Sequence, residues 1–264
     1  MEIDLKFLER RPISYSSLKQ FKKSPLHYMK YLTAKFKPTP ALVFGSVVDC
    51  LLLTPDVFND KFIIANFNPY TKDGKTTFED YYKKGITMVN DNDYERAKLA
   101  VHSVKTNIIS KQIYDKITQT QRELRWTDLE TDIPLISYLD ADFDDEVVEL
   151  KTAQSADPLA FQRDSYNYDY PLQAAMYNMG YLHCKGKRPK KYRYIVVETS
   201  EPFGVSVYKP TEEYFEYGAQ ELRRLLTEFR SCLDFKMFGS GYEYRSKEDG
   251  YFNLDLPAWA HKKA

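Results

Sequence analysis

The chain has 264 residues, 43% of them hydrophobic and 29% charged, enough to bury one sizeable core and ordinary for a soluble globular protein. Lys and Arg (38) balance Asp and Glu (38), so bulk charge gives no attraction to a polyanion, and any such surface must come from local segregation of charge. The three cysteines, Cys50, Cys184 and Cys232, stand alone in sequence; this excludes a disulfide framework and the four clustered thiolates of the usual iron–sulfur cluster, and points to a reducing, cytoplasmic setting.

At the N-terminus, MEIDLKFLERR lacks the apolar region of a signal peptide, and no run of the chain approaches membrane-spanning length. Residues 14–32 are predicted as a helix, with serines in SYSSLKQF as N-caps and Leu18, Phe21 and Leu26 on its apolar side. A basic, proline-broken link over 35–40 leads to ALVFGSVVDCLLL, an apolar segment of helical length that Thr54-Pro55 ends. Residues 58–90 are expected to be irregular, with PYTKDGKTT an exposed loop on the strength of its turn residues. Apolar residues then recur at helical spacing over 91–117 (Tyr94, Ala97, Val101, Val104, Ile108).

The pattern next changes to that of strands. RELRWTDL, PLISYLDADF and EVVELKTA are predicted as three consecutive strands joined by short acidic turns. A helix follows over 171–183, then a strand, KYRYIVVETS, and its hairpin partner, GVSVYKP. A last helix over 211–233 carries Phe215, Ala219, Leu222, Leu226, Phe229 and Leu233 as a core-facing stripe. This order predicts an α/β fold with one central mixed sheet flanked by helices. The chain is expected to form a single domain over 1–264, mainly helical over 1–120, with the sheet and closing helices over 121–264. The 22 Tyr are an unusual share, and such rings serve binding surfaces as well as cores.

One stretch concentrates chemistry. Asp140 closes the second strand, and Glu149 and Lys151 sit two apart on the third, so their side chains point to the same face and a tight turn brings Asp140 alongside. Two carboxylates and an ammonium meeting this way suit a hard divalent ion, with the Leu150 backbone carbonyl as a further ligand and the lysine placed to orient or deprotonate an attacking water. The spacing alone is common, but a strand that buries its apolar flanks while setting Glu and Lys on one short face marks a site. Asp49, the sole acid between Glu9 and Asp56, offers a third carboxylate from the apolar helix, and Gly45 one turn earlier permits close approach of backbone or DNA. Gln173 and Tyr177 share a helical face. Charge is segregated: 140–149 holds six acids, and 185–193 holds six bases, Lys185, Lys187, Arg188, Lys190, Lys191 and Arg193, which would meet phosphates.

Together these residues resemble the RecE/exodeoxyribonuclease VIII-like branch of the PD-(D/E)XK nucleases, within the wider RecB-like group. The likeness runs through ISYSSLKQFKKSPLHY, FGSVVDCLLLTPDVFNDKFIIA, RELRWTDLETDIPLISYLDADF, VVELKTAQSADP, QAAMY, YIVVETSEPFGVSVY and the terminal LDLPAWA, in family order. The resemblance implies a restriction-endonuclease-like core in which Asp140 and Glu149 hold the metal and Lys151 completes the (D/E)XK element. Gln173 and Tyr177 match the QxxxY helix that orders the site and contacts DNA. Asp49 falls where most RecB-like members carry a histidine ligand, a change that leans towards Mg²⁺, with Mn²⁺ as the second choice; Glu123 is an outer candidate. It implies 5′→3′ digestion of double-stranded DNA ends in phage-type recombination inside a bacterial cell, a single-strand annealing protein as partner, and a homo-oligomeric ring. A structure-specific or nicking endonuclease on the same fold, and an inactive DNA- or protein-binding module, remain the alternatives.

Overall fold

The computed structural model describes residues 3–35, 37–65, 71–246 and 249–257. Part of the LDLPAWA motif, residues 258–260, and part of the PYTKDGKTT segment, residues 69–70, lie outside the described residues.

In chain order the helical first part comprises α1 (Leu5–Arg10), α2 (Tyr15–Lys23), α3 (Pro25–Thr33) and α4 (Pro40–Leu53). The helix expected over 14–32 is two helices. Ser24 closes the first and caps the second by accepting the His27 N–H at 3.3 Å, and Pro25 takes the first helical position, where no amide is needed. The described residues within 58–90 are not irregular. They hold α5 (Phe58–Lys61), β1 (Phe62–Ala65), α6 (Lys72–Lys83) and β2 (Thr87–Asn90), with β1 and β2 paired in parallel from Phe62↔Thr87 to Ala65↔Asn90. The turn-like TKDG is the first turn of α6: Thr71 caps it by accepting the Gly74 N–H at 3.1 Å, and cap residues and turn residues are drawn from the same set. Asn107 likewise divides the helix expected over 91–117 into α7 (Asp91–Thr106) and α8 (Ile108–Tyr114).

The predicted strands follow as β3 (Gln119–Thr127), β4 (Pro134–Phe143) and β5 (Glu146–Ala153). A helix absent from the sequence reading comes next, α9 (Pro158–Asn167), capped by Asp157 through the N–H groups of Leu159 and Ala160. Then come α10 (Tyr170–Lys185), β6 (Lys191–Glu198), β7 (Val205–Tyr208) and α11 (Glu212–Asp234).

Two compact units are distinguished: residues 1–35, 127–134 and 223–264, and residues 36–126 with 135–222. In the first, Phe21, Tyr28, Phe229 and Phe238 form an aromatic core, with Phe21 and Phe229 centroids 4.8 Å apart. Arg223 grips the buried Asp128 with two parallel bonds of 2.9 and 3.0 Å.

The second unit contains the sheet, ordered β3-β4-β5-β6-β7, with β5 and β6 parallel and the pairs β4–β5 and β6–β7 antiparallel. This is the central mixed sheet predicted. Alternation sends Val148, Leu150, Ile195 and Val197 to one face, where they join Val47 and Val48 of α4 and Ala97 and Ala100 of α7 in a continuous core. The opposite face carries Glu149, Lys151, Tyr192 and Tyr194 beneath the aromatic residues of α9, α10 and the start of α11.

On that side α11 lies against the first turn of α10 with no room to spare: a Cβ on Gly218 would stand 2.0 Å from the Pro171 carbonyl oxygen. Alanine in a helix is favoured over glycine by about 1 kcal/mol. Here the obstacle is backbone rather than a mobile side chain, and overpacking of this kind costs about 1–3 kcal/mol or more. Gly218→Ala is therefore expected to lower the melting temperature measured by calorimetry, whereas propensity alone would raise it.

Candidate active site

The site begins where two strands leave their ladder. β4 and β5 register Ala141–Phe143 against Glu146–Val148, and beyond Ala141 their link passes to side chains. The Leu150 N–H donates to Asp140 Oδ2 at 2.8 Å, and the Asp140 N–H donates to Glu149 Oε1 at 3.3 Å. Two residues further along β5, on the same face as Glu149, Lys151 donates from Nζ to Glu149 Oε2 at 3.1 Å and stands 3.8 Å from Asp140 Oδ2. Glu149 is fully buried, Lys151 nearly so, and Asp140 is the most open of the three. The ammonium is flanked by the rings of Tyr170 and Tyr194, at 5.3 and 5.8 Å from their centroids, a favourable arrangement for a desolvated cation.

The third carboxyl group arrives from α4. Gly45 lets this helix lie on β5, since a Cβ there would meet Thr152 Oγ1 at 3.0 Å; the close approach serves helix and strand. One turn on, Asp49 accepts from Gln121 Nε2 at 3.2 Å. Gln121 holds a left-handed backbone, φ 50°, at the start of β3, a conformation costly for a side chain of its kind.

Asp49 is held above the usual carboxylate range, first by burial and then by the neighbouring Asp140, with Lys151 and Lys61 opposing. Glu149 is raised for the same reasons in the same order, with Lys151 opposing. For Lys151, burial disfavours the charged form, but Glu149 and Asp140 outweigh it and hold the ammonium above its ordinary value. Three carboxyl groups thus share one ammonium in a largely dry place, and the excess negative charge is relieved by retaining protons.

Gln173 and Tyr177 both stand on α10, facing this cluster. Gln173 Nε2 donates to the Tyr177 hydroxyl at 3.1 Å, while Gln173 Oε1 is buried with no partner among the described residues. Burial, then Glu149 and Asp140, raise the Tyr177 phenol, so it remains an uncharged hydroxyl. Glu123 does not join the cluster; it is bound by Arg125 and accepts from the Tyr138 hydroxyl at 2.9 Å. The basic run also lies elsewhere. Lys187 and Lys190 bind Asp145 at 2.6 and 3.3 Å, and Lys191 (2.6 Å) and Arg193 bind Glu146, three residues and roughly 10 Å along β5 from Glu149. Lys185 and Arg188 stand in the same run without a carboxylate partner among the described residues.

Sequence reasoning missed Gln121, Tyr170 and Tyr194. Tyr194 sits opposite Glu149 in the parallel pairing of β5 and β6, a register that only knowledge of that pairing would have supplied.

Among the described residues no three His, Cys, Asp or Glu side chains converge closely enough to hold an ion as they stand. The carboxylates of Asp140 and Glu149 are engaged with backbone N–H groups and with Lys151. The donor chemistry nevertheless fits a hard divalent cation: oxygen ligands, that of Glu149 fully buried, with more negative charge than the single ammonium offsets. An ion entering here competes with protons and with Lys151 for the same oxygens.

A family model described as a PDDEXK-like domain of unknown function (DUF3799) matches residues 14–239. The chain belongs to this family. No curated protein matches it. Among solved structures, a crystal structure of a candidate exonuclease from Eubacterium rectale aligns over 100% of this chain and 99% of that one, at 13% identity and a TM-score of 0.59, which establishes a shared fold. A second, SSO0001, aligns over 83% and 85% at 16% identity with a TM-score of 0.29. No helix among the described residues is long and apolar enough to cross a membrane.

The raised Glu149 carboxyl has a consequence for stability. Its folded state binds a proton that the unfolded chain has lost once pH exceeds the ordinary carboxyl value, so stability falls as pH rises from there to the raised value. The melting temperature of Glu149→Gln relative to the wild type, measured by calorimetry without metal, is expected to rise as pH goes from 4 to 8.

Proposed function

We propose that the chain is a divalent-metal-dependent nuclease that hydrolyses DNA phosphodiesters. The observation that carries this reading is the pairing of Asp140 and Glu149 with Lys151 at the point where β4 and β5 part, with Asp49 near enough to feel the charges of Asp140 and Lys151, and Gln173 and Tyr177 facing the site from α10. The three carboxyl groups and the Leu150 carbonyl would hold Mg²⁺, or Mn²⁺ in its place. When bound, such an ion would supply Lewis-acid activation of a phosphoryl oxygen and of water at neutral pH.

Within the chain, Lys151 acts as a fixed positive charge. Its neighbours hold it protonated, so it orients a water or steadies negative charge growing on the phosphate, and of the two roles its sequence position allowed, abstraction of a proton is the disfavoured one. Tyr177, an uncharged hydroxyl positioned by Gln173, can donate to a phosphate oxygen. The RecE-like order of motifs supports action from double-strand ends with 5′→3′ polarity, coupled to a single-strand annealing protein and arranged as a ring of identical subunits. Lys185 and Arg188 are the members of the basic run left to meet the strand at a distance from the centre.

Digestion of an end-labelled linear duplex against a covalently closed circle tests this reading. With Mg²⁺ the wild type is expected to degrade the linear duplex and spare the circle, and Asp140→Ala to slow the reaction roughly a thousandfold or more, the worth of several kcal/mol of transition-state stabilisation. Steady cutting of the circle would move the reading to an endonuclease. Equal activity in both proteins, or none in either across Mg²⁺ and Mn²⁺, would falsify the assignment.

A further inference from the structure

Sequence SYNYDY, residues 165–170, spaces three tyrosines at the junction of α9 and α10. The third, Tyr170, lies over the Lys151 ammonium and stacks on Tyr194, with centroids 6.1 Å apart. The second, Tyr168, sits 5.8 Å from Tyr170, tilted by 33°, and is 53% exposed. The first, Tyr166, is 63% exposed and pairs with Tyr217 of α11, itself 40% exposed, at 5.9 Å. Tyr217 precedes Gly218, whose contact with the Pro171 carbonyl fixes α11 beside the first turn of α10. Asp169 holds the turn in a left-handed backbone conformation, φ 61°, between the two tyrosines.

We propose that Tyr168, with Tyr166 and Tyr217 beside it, forms a stacking platform for unpaired nucleobases of the strand whose phosphate lies at Lys151. Each ring in the chain Tyr168–Tyr170–Lys151 is within 6 Å of the next group, so the Tyr168 face is at most about 11 Å from the ammonium. This is the reach of one or two nucleotides from a phosphodiester at the centre. Charge gives the backbone no strong hold here: residues 163–170 carry Asp164 and Asp169 against the single cation Arg163, while Tyr166 and Tyr168 are more than half exposed. Stacking on such faces is tolerant of sequence, because every base has one. A tyrosine ring also remains wetted through its hydroxyl when no base is present, which suits a half-exposed position better than an aliphatic side chain would.

The inference rests on the nuclease reading for the position of the strand, and the two fail separately. Fluorescence anisotropy of the full chain, with Ca²⁺ in place of Mg²⁺, measures binding to a labelled single strand of about twelve nucleotides and to the same strand made abasic. Replacing Tyr168 by Ala is expected to weaken binding of the normal strand about tenfold, with a further loss when Tyr166→Ala and Tyr217→Ala are added. Tyr168→Phe should retain affinity, the abasic strand should bind wild type and variants alike, and the salt dependence should not change, because no phosphate contact is removed. Parallel titrations with a blunt and a flapped duplex distinguish a frayed end from a free single strand as the source of the bases. Equal losses on the abasic strand, no loss at all, or no binding by the wild type would overturn the platform. So would a self-associated species that the tyrosine substitutions dissolve while leaving oligonucleotide binding intact. Tyrosine-dependent binding by a chain that hydrolyses nothing would overturn the nuclease reading alone; hydrolysis indifferent to all three substitutions, with single-strand affinity unchanged, would overturn the platform alone.

Discussion

Negative charge confined in a dry place is the constraint from which the arrangement of the second unit follows. Asp140 and Glu149 pair with one ammonium while Asp49 lies close enough to feel it, and burial raises the cost of ionising Asp49 and Glu149. A cluster built only for stability would not take this form, because replacing such charges by well-packed apolar groups is commonly neutral or stabilising. The structure holds the cluster with backbone: the Leu150 and Asp140 N–H groups, released from the ladder where β4 and β5 part, bind the carboxylates. Each strand thereby supplies a side chain to the other, and the parting of the strands and the assembly of the site are one event.

The rest of the unit keeps these groups in place from both faces. On one face, α4 and α7 pack with the sheet in one core, and Gly45 removes the Cβ that would hold α4 away from β5. On the other, Tyr170 and Tyr194 enclose the Lys151 ammonium, while Tyr177 and Gln173 close over the cluster from α10. Aromatic rings here serve three purposes along one line: packing at Phe161 and Tyr194, cation contact at Tyr170, and a half-exposed ring at Tyr168. The abundance of tyrosine in the composition gains a physical meaning from that continuity.

What could be read from the sequence was what period and spacing determine. Strand alternation places Glu149 and Lys151 on one face whatever the rest of the chain does, and a short turn leaves Asp140 little choice but to join them. Asp49 was legible as a lone acid in an apolar helix. Gln121 was not, because its contact with Asp49 spans 72 positions and depends on a left-handed backbone that no local pattern announces. The two charge runs were visible, but not that Asp145 and Glu146 would bind Lys187, Lys190, Lys191 and Arg193 across the start of β5 and β6. A run of bases was read as a surface for phosphates when most of it already has partners. The same ambiguity hid α6, since the Thr, Asp and Gly that mark a turn also begin a helix.

On the proposed reading, the excess negative charge at this site would seat a divalent ion, with retained protons offsetting it otherwise. Calorimetric titration of the metal-free chain with Mn²⁺ near pH 7, in two buffers of different ionisation enthalpy, tests it most directly. Binding accompanied by proton release, and lost in Asp140→Ala, is the predicted result. Binding with no proton exchanged, binding undiminished by that substitution, or no binding at all would contradict it.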